Sequence, residues 1–224
     1  MMFHMRRRGK PNKEITLVCI DGAYGWPSLN AMHFCKKQFN FAAAKFLTPL
    51  PEILAYASPL ERQGIEVTKI EPLPSINHYS FFCIKRLVDY INTDYLLLVQ
   101  HDGFILDSGL WTNDFFNYDY IGAAWADKRV GNGGFSLRSK KLLTALADSR
   151  VRDVRIEDNA IGRHYKTLLE RYYGIKIAPL FMADRFSHEI DVHPSFGFHG
   201  CHHIAAYRER MISQFGTLNN MVLR

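Results

Sequence analysis

The sequence predicts an α/β protein with a mostly parallel central sheet flanked by helices. Short apolar runs alternate with segments of helical periodicity in the first half of the chain, as in repeated strand–helix–strand units. The run at residues 95–99 shows no polar alternation, as expected of a strand that is buried on both faces. Ligands of such sheets bind beyond the carboxyl ends of the strands, so the residues that follow each run are the first site candidates.

Each element follows from a local pattern. The expected strands are apolar or alternating runs, and they lie at 15–21, 42–48, 66–70, 95–99, 118–125, 135–137, 175–178 and 196–199. The expected helices repeat apolar residues every three or four positions, and they lie at 28–38, 75–91, 140–147 and 157–173. Ser28 is the expected N-cap of the first helix, and Gly174 is expected to end the last one. The glycine-rich stretch 131–134 is expected to be a loop.

The charge of the chain is concentrated at one end. The 224 residues include 28 Lys and Arg against 22 Asp and Glu, a formal net charge of +6. Residues 1–13 carry five of the bases and no acid, which leaves 23 bases against 22 acids elsewhere. We therefore expect a basic flexible tail at 1–13 and one domain at 14–224. The nearly neutral domain argues against nucleic-acid binding, while the tail suits weak contact with an anionic membrane.

Composition and cysteine usage predict a packed protein of the cytoplasm. Apolar residues make up 47% of the chain and charged residues 22%, which excludes disorder along its whole length. Its apolar runs fall short of the roughly 18–20 residues that span a bilayer. The four cysteines are scattered and stand in apolar surroundings, so we expect buried free thiols in a reducing compartment. A peripheral position at the inner face of the membrane would follow from the tail.

Two segments are candidates for binding a ligand. Gln100, His101 and Asp102 directly follow the buried run 95–99, and a carboxylate there suits Mg²⁺ or Mn²⁺ holding phosphate oxygens. The alternative is an aspartate that only forms a turn before Gly103. The stretch 131–134 would let the backbone approach a ligand or adopt positive φ, although glycine-rich turns are also common without a ligand.

Two further segments carry acids or histidines. Glu157 and Asp158 open a predicted helix, where acids either serve as a catalytic base or only complement the helix dipole. Five of the ten histidines fall within 188–203, but their spacing matches no zinc motif, so at most one or two need be metal ligands. Most of them are expected to be surface or core residues.

The order of these segments resembles nucleotide-sugar glycosyltransferases of the GT-A type. The counterparts of that fold's motifs are Gln100–Asp102 for the Asp-X-Asp motif, 131–134 for the segment lining the sugar, Glu157–Asp158 for the acidic pair and His199 for a late metal ligand. The segments 118–125, 130–138 and 196–200 are similar to signatures of a bacterial glycosyltransferase family, and 131–163 is distantly similar to β-1,4-galactosyltransferases. Gln100 departs from the motif, whose first position is normally Asp.

The resemblance implies a fold, a reaction and a site. It implies a Rossmann-like nucleotide-binding half, an acceptor half, and transfer of a sugar from a nucleoside-diphosphate sugar to a hydroxyl of a saccharide or lipid-linked acceptor, as in surface polysaccharide or lipooligosaccharide synthesis. It makes Asp158 the base of an inverting reaction, with Glu157 binding a sugar. Asp102 and His199 would hold Mn²⁺ or Mg²⁺. The remaining donor-site candidates are Asp21, Gln100, Trp125, Gly133, Gly134 and Arg163.

Several of these residues also have structural interpretations. Trp125 either stacks on a sugar ring or packs in the core, and Asp21 either contacts the base or ribose or closes a turn. Arg163 either reaches a phosphate or pairs with an acid on its own helix. For the whole chain, the alternatives are a metal-dependent nucleotidyl or phosphoryl transferase, and a nucleotide-sugar-binding module without catalysis.

Overall fold

The computed structural model describes residues 14–152, 154, 156–202 and 204–222. The predicted basic tail at 1–13 and His203 lie outside these residues. Within them, no helix is both long and apolar enough to cross a membrane.

A six-stranded sheet forms the centre of the molecule, in the order β3-β2-β1-β4-β7-β6. The strands are β1 (Ile15–Ile20), β2 (Ala43–Thr48), β3 (Glu66–Lys69), β4 (Tyr95–Leu98), β6 (Tyr120–Ala124) and β7 (Val130–Ser139), while the short β5 (Gly103–Ile105) lies apart from this sheet. The first four strands of that order are parallel, and β7 and β6 are antiparallel to their neighbours. The predicted mostly parallel sheet flanked by helices is thereby confirmed.

The parallel centre of the sheet is buried on both faces. All residues of β1 and of β4 are buried, because helices cover both faces of the sheet. Polar residues follow at the carboxyl ends of these two paired strands, namely Asp21 after β1 and Gln100 to Asp102 after β4. The sheet therefore brings these two candidate segments to one edge.

The four expected helical segments are present with shifted or interrupted ends, and the helices at 51–54, 57–62, 180–186, 204–215 and 218–222 were not expected. The helices are α1 (Trp26–Gln38), α2 (Pro51–Leu54), α3 (Ala57–Arg62), α4 (Ile76–Phe81), α5 (Lys140–Ala147), α6 (Glu157–Asn159), α7 (Lys166–Tyr172), α8 (Leu180–Phe186), α9 (Ile204–Phe215) and α10 (Leu218–Val222). The prediction of Ser28 as N-cap is wrong: α1 starts at Trp26 after Gly25, and Ser28 is buried within it. Proline in the first turn has the φ that a helix start requires, which explains the earlier start.

The two long helices predicted from periodicity are helical but interrupted. After α4 the chain forms a π-helical turn at Phe82–Arg86 and a 3₁₀ turn at Leu87–Tyr90. Between α6 and α7 it forms another π-helical turn at Ala160–His164. Gly174 follows α7 with φ of 63°, the left-handed conformation predicted for the residue that ends the helix.

A second, three-stranded sheet has the order β5-β9-β8, with β8 at Ser187–His188 and β9 at Gly197–His199. The strand expected at 196–199 is thus present. The strand expected at 175–178 is not, because only one bridge, between Ile177 and Tyr120, forms there. Gly197 packs so closely on Phe135 of β7 that a Cβ would overlap the ring. This contact places His199 beside β7.

The cysteines follow the prediction with one exception. Cys19, Cys35 and Cys83 are buried free thiols, and burial raises the pKa of Cys35 to about 12. Cys201 is exposed, which corrects the expectation that every cysteine is buried.

Candidate functional site

A bulge in β7 is the structural origin of the site. Ile121 of β6 pairs with Leu137, whereas Ala123 pairs with Asn132. A step of two residues along β6 therefore corresponds to a step of five residues along β7. The prediction of a loop at 131–134 is therefore wrong, since these glycines lie inside β7 and none has the left-handed φ that glycine permits. Bulges of this kind change the direction in which neighbouring side chains point, and they are frequent next to active sites.

The glycines of the bulge are needed for space. A Cβ on Gly134 would overlap the ring of His199 and lie 2.7 Å from Gln100 Oε1. A Cβ on Gly133 would lie 2.7 Å from Glu157 Oε1 and 2.8 Å from Arg138 Nη2. Two neighbouring glycines thus let two different groups of polar side chains pack against one strand.

The first group contains Gln100, Asp102 and His199. His199 lies 99 positions after Gln100 in the chain. His199 Nε2 lies 3.3 Å from Gln100 Oε1 and 3.5 Å from Asp102 Oδ1. His101 Nδ1 lies 3.6 Å from the same Asp102 oxygen. The fold therefore brings together the three residues that the resemblance placed at a metal and diphosphate site.

Asp102 and His199 each have a buried atom without a hydrogen bond in the described part of the chain. These atoms are Asp102 Oδ1 and His199 Nδ1. Burial raises the pKa of Asp102, but the neighbouring His199 and His101 rings outweigh it, and the net shift is downward. A carboxylate that stays ionised and is short of donors suits a cation.

The residues fit a divalent ion only as a partial set. Among the described residues, no group of three or more His, Cys, Asp or Glu side chains is arranged to hold a metal. Asp102, His199 and Gln100 Oε1 would supply three ligands. His199 Nε2 lies 3.3 Å from Gln100 Oε1 and 3.5 Å from Asp102 Oδ1. Mg²⁺ and Mn²⁺ favour oxygen ligands and commonly complete their shell with phosphates and water, which such a set leaves room for.

Tyr79 was not found by sequence reasoning, although it fixes the orientation of Gln100. The Gln100 amide donates from Nε2 to the Tyr79 hydroxyl at 2.8 Å, which turns Oε1 toward His199. Burial raises the pKa of Tyr79 well above its usual value, so the hydroxyl stays protonated. A tyrosine inside a helix predicted at 75–91 gave no local signal of this contact.

The second group is the acidic pair at the start of α6. Glu157 Oε1 lies 3.2 Å from Arg138 Nη2, and the side chains of both residues are buried, with 7% and 0% exposure. Arg138 also donates to the Gly133 carbonyl at 3.1 Å and to Ser136 Oγ at 2.9 Å. Arg138 therefore attaches Glu157 to the bulge. In the sequence, the one indication of this role is that Arg138 lies within a short apolar segment.

Asp158 is the acid of the pair that stays outside this ion pair. Its carboxylate accepts a hydrogen bond from the Asn159 backbone N–H at 2.6 Å and is only partly buried. Burial and the adjacent charge of Glu157 raise the pKa of Asp158 to about 6. A carboxylate with that pKa is ionised at neutral pH and is more basic than an ordinary aspartate.

Arg163 pairs with an acid outside its own helix, while its predicted contact with a phosphate stays a prediction. It pairs with Asp127 at 3.0 Å, on the turn between β6 and β7, and its guanidinium lies 4.4 Å from the centre of the Trp125 ring. The edge of that ring fills the space above Gly131 and Gly162, where a Cβ would meet it. Arg163 thus holds Trp125, and Trp125 combines packing with a position on the wall of an open pocket.

Asp21 has the structural role. Its carboxylate accepts hydrogen bonds from the backbone N–H groups of Ala23, Tyr24 and Gly25 at 2.8, 2.9 and 2.6 Å. It thereby closes the turn into α1. The exposed Tyr24 ring stacks on His101 with 3.6 Å between ring centroids.

The described histidines outside the first group are mostly structural, as expected. His188 bonds to Ser195 Oγ at 2.8 Å and to the Tyr207 hydroxyl at 3.0 Å, which ties β8 to α9. His193 is held by two backbone carbonyls.

Two solved structures share this fold at low sequence identity. The mannosyltransferase PcManGT from Pyrobaculum calidifontis, in complex with GDP-Man and Mn²⁺, has a TM-score of 0.53 and 8% identity, and the match covers 76% of this chain and 56% of that one. The glycosyltransferase GlyE of Streptococcus pneumoniae has a TM-score of 0.52 and 13% identity, with coverage of 95% and 62%. The chain therefore spans less than two thirds of either protein. The likeness defines the fold, and the prediction of a GT-A-like fold is confirmed.

The chain belongs to the family described as protein of unknown function DUF5672, whose sequence model matches residues 62–202. The matched part includes both groups of site residues. A comparison with curated proteins gives no match.

Proposed function

We propose that this protein is a glycosyltransferase that moves a sugar from a nucleoside-diphosphate sugar to an acceptor hydroxyl. The observation that carries the proposal is the bulge of β7, where Gly134 packs on His199 and Gly133 on the acidic pair. One short backbone segment thus lies between a candidate cation site and a candidate base. Inverting transfer from a diphosphate donor uses both functions at neighbouring positions.

The donor diphosphate would lie at Gln100, Asp102 and His199. Asp102 and His199, with Gln100 Oε1, would hold Mn²⁺ or Mg²⁺, and a bound cation would neutralise the charge that grows on the leaving diphosphate. The GDP-Man and Mn²⁺ in PcManGT support a donor and a cation of these kinds. Tyr79 contributes by holding the amide of Gln100 in one orientation.

Asp158 would take the proton of the acceptor hydroxyl as that oxygen attacks the anomeric carbon. Its raised pKa of about 6 leaves it ionised at pH 7 while increasing its affinity for the proton. A base that activates the acceptor directly implies inversion at the anomeric carbon. Glu157 is bound to Arg138 and buried, so it positions Asp158 and raises the pKa of Asp158.

The acceptor is proposed only as a saccharide hydroxyl. The expectations of a lipid-linked acceptor, a surface-polysaccharide pathway and a membrane contact at 1–13 rest on no contact among the described residues.

The test is donor cleavage by the full chain with UDP-, GDP- and CMP-sugars and Mn²⁺. We expect slow hydrolysis of one donor class, in which water takes the place of the acceptor, and a decrease of about 10²–10⁴-fold in this hydrolysis for Asp158→Asn. Loss of Mn²⁺-dependent nucleotide binding is expected for Asp102→Ala. The exposed Asp89→Asn is the matched control, and it should behave as wild type. Failure to bind any nucleoside diphosphate, with or without Mn²⁺, would contradict the proposal.

The same assay separates the two alternatives. Binding without cleavage, together with no effect of Asp158→Asn, would indicate a nucleotide-sugar-binding module. Release of pyrophosphate from a nucleoside triphosphate and a sugar phosphate would indicate a nucleotidyl transferase.

A further inference from the structure

An open pocket of about 150 Å³ lies between the turn that follows β6 and the segment that follows α8. Trp125 and Lys128 line it on one side, and Asp184, Glu189 and Asp191 on the other. None of these three acids was singled out in the sequence. The pocket is separate from the group formed by Gln100, Asp102 and His199, although it lies next to it.

The pocket reaches both parts of the site. Glu189 Oε1 lies 4.0 Å from His199 Nδ1, which connects the pocket to the candidate cation site. Trp125 fills the space above Gly131, two positions before the glycine that packs on Glu157. The pocket therefore adjoins the candidate cation site, and it shares Trp125 with the strand whose bulge packs on the acidic pair.

Hydrogen bonds and an ion pair connect the parts of the pocket wall. His193 has Nε2 at 2.8 Å from the Asp184 carbonyl and Nδ1 at 2.7 Å from the Asp191 carbonyl, so it joins the two sides of the segment that forms the wall. Lys128 reaches across the opening to Asp191 Oδ2 at 3.0 Å. On the Trp125 side, Arg163 is already paired with Asp127.

The charge of the pocket lining disfavours anionic ligands. The residues that line the pocket include three acids and one lysine; Lys128 and Asp191 pair with each other, so Asp184 and Glu189 are the excess acids. The nearby guanidinium of Arg163 covers Trp125 and is paired as well. A phosphate or carboxylate entering here would meet these acids and, among the described residues that line the pocket, no lysine outside an ion pair, whereas hydroxyl and amino groups could donate to the carboxylates.

We propose that this pocket binds the acceptor sugar, and that the acceptor unit is neutral or carries an amino group. The assignment rests on the proposed transferase function. Sugar hydroxyls or an ammonium group would donate to Asp184 and Glu189, while Trp125 would supply apolar surface. Anionic sugars would be rejected by repulsion.

The test uses three methyl glycosides as probes with the full chain: glucoside, glucosaminide and glucuronide. Saturation-transfer NMR should show binding of the first two and none of the third. Asp184→Asn should weaken the glucosaminide by about fivefold, the size expected for one lost carboxylate–ammonium contact near a surface. Asp89→Asn, an exposed aspartate outside the pocket, should leave all three unchanged.

Three results would overturn the assignment: equal binding of the glucuronide, no binding of any glycoside, or equal behaviour of Asp184→Asn and Asp89→Asn. Titration of the same sample with GDP and Mn²⁺ examines the transferase function separately. Nucleotide binding without glycoside binding counts against the pocket alone. Selective glycoside binding without nucleotide binding counts against the transferase and leaves a saccharide site.

Discussion

Replacing Asp158 by asparagine should stabilise the fold at neutral pH while abolishing transfer. Asparagine has nearly the same shape, and its Oδ1 can still accept the hydrogen bond from the Asn159 N–H. What the variant removes is a carboxylate that burial and the charge of Glu157 disfavour. A side chain retained at a cost to stability is typical of a functional site.

The size of the effect follows from the pKa of Asp158. That pKa rises from 3.8 to about 6 on folding. At 1.36 kcal/mol per unit this corresponds to about 3 kcal/mol, and partial exposure to solvent reduces it to about 1–2 kcal/mol. Because the folded state holds the proton more tightly, wild type loses this stability as the pH rises from about 4 to 6. The variant has no such loss.

Urea denaturation at pH 7.5 and at pH 3.5 measures the difference. We expect Asp158→Asn to unfold at higher urea than wild type at pH 7.5, and this difference to shrink at pH 3.5, where Asp158 is protonated in the folded state and mostly protonated in the unfolded state. Asp89→Asn, an exposed aspartate, should show no such pH-dependent gap. A variant less stable than wild type at pH 7.5, or a gap of equal size at both pH values, would refute the reasoning.

Three further results are expected. Arg138→Met should lower the free energy of unfolding by about 3–5 kcal/mol in chemical denaturation, because Glu157 is left buried and unpaired, whereas the exposed Arg129→Met should not. Adding Glu157→Gln to Arg138→Met should restore part of that loss, and strict additivity would contradict the pairing. Tyr79→Phe should weaken Mn²⁺ binding by about fivefold in calorimetry through the freed amide of Gln100, with Tyr90→Phe as the control. Gly134→Ala should abolish Mn²⁺ binding because its Cβ would displace His199, and unchanged affinity would contradict that contact.

The sequence was most informative where a buried strand ends. The apolar run at 95–99 and the polar residues after it are local features, and they were enough to single out Gln100 and Asp102. His199 was less distinct, because it stands among other histidines. Only the pairing of β5 with β9, which joins Gly103 to His199, shows that it is the one beside Asp102.

The missed features depend on contacts between distant segments. The glycines at 131–134 were interpreted as a loop, because a glycine that makes room for a neighbour has the same local pattern as one in a turn. The roles of Arg138 and Tyr79 depend on partners 19 and 21 residues away. The protein partner of Arg163 lies 36 residues away, so the sequence could not single it out among the acids near its own helix.

The position of β1 determines which fragments of a protein of this family can fold. The stretch recognised by the family model begins at residue 62, yet β4 pairs on one side with Ile15–Ile20, and β1 in turn pairs with β2. A fragment restricted to 62–202 would expose the unpaired edge of β4 and remove Met211 and Leu218 from the core, where both are fully buried. Such a fragment would be prone to aggregate through that edge. The segment that the family model matches is therefore shorter than the fragment of this protein that is needed for folding.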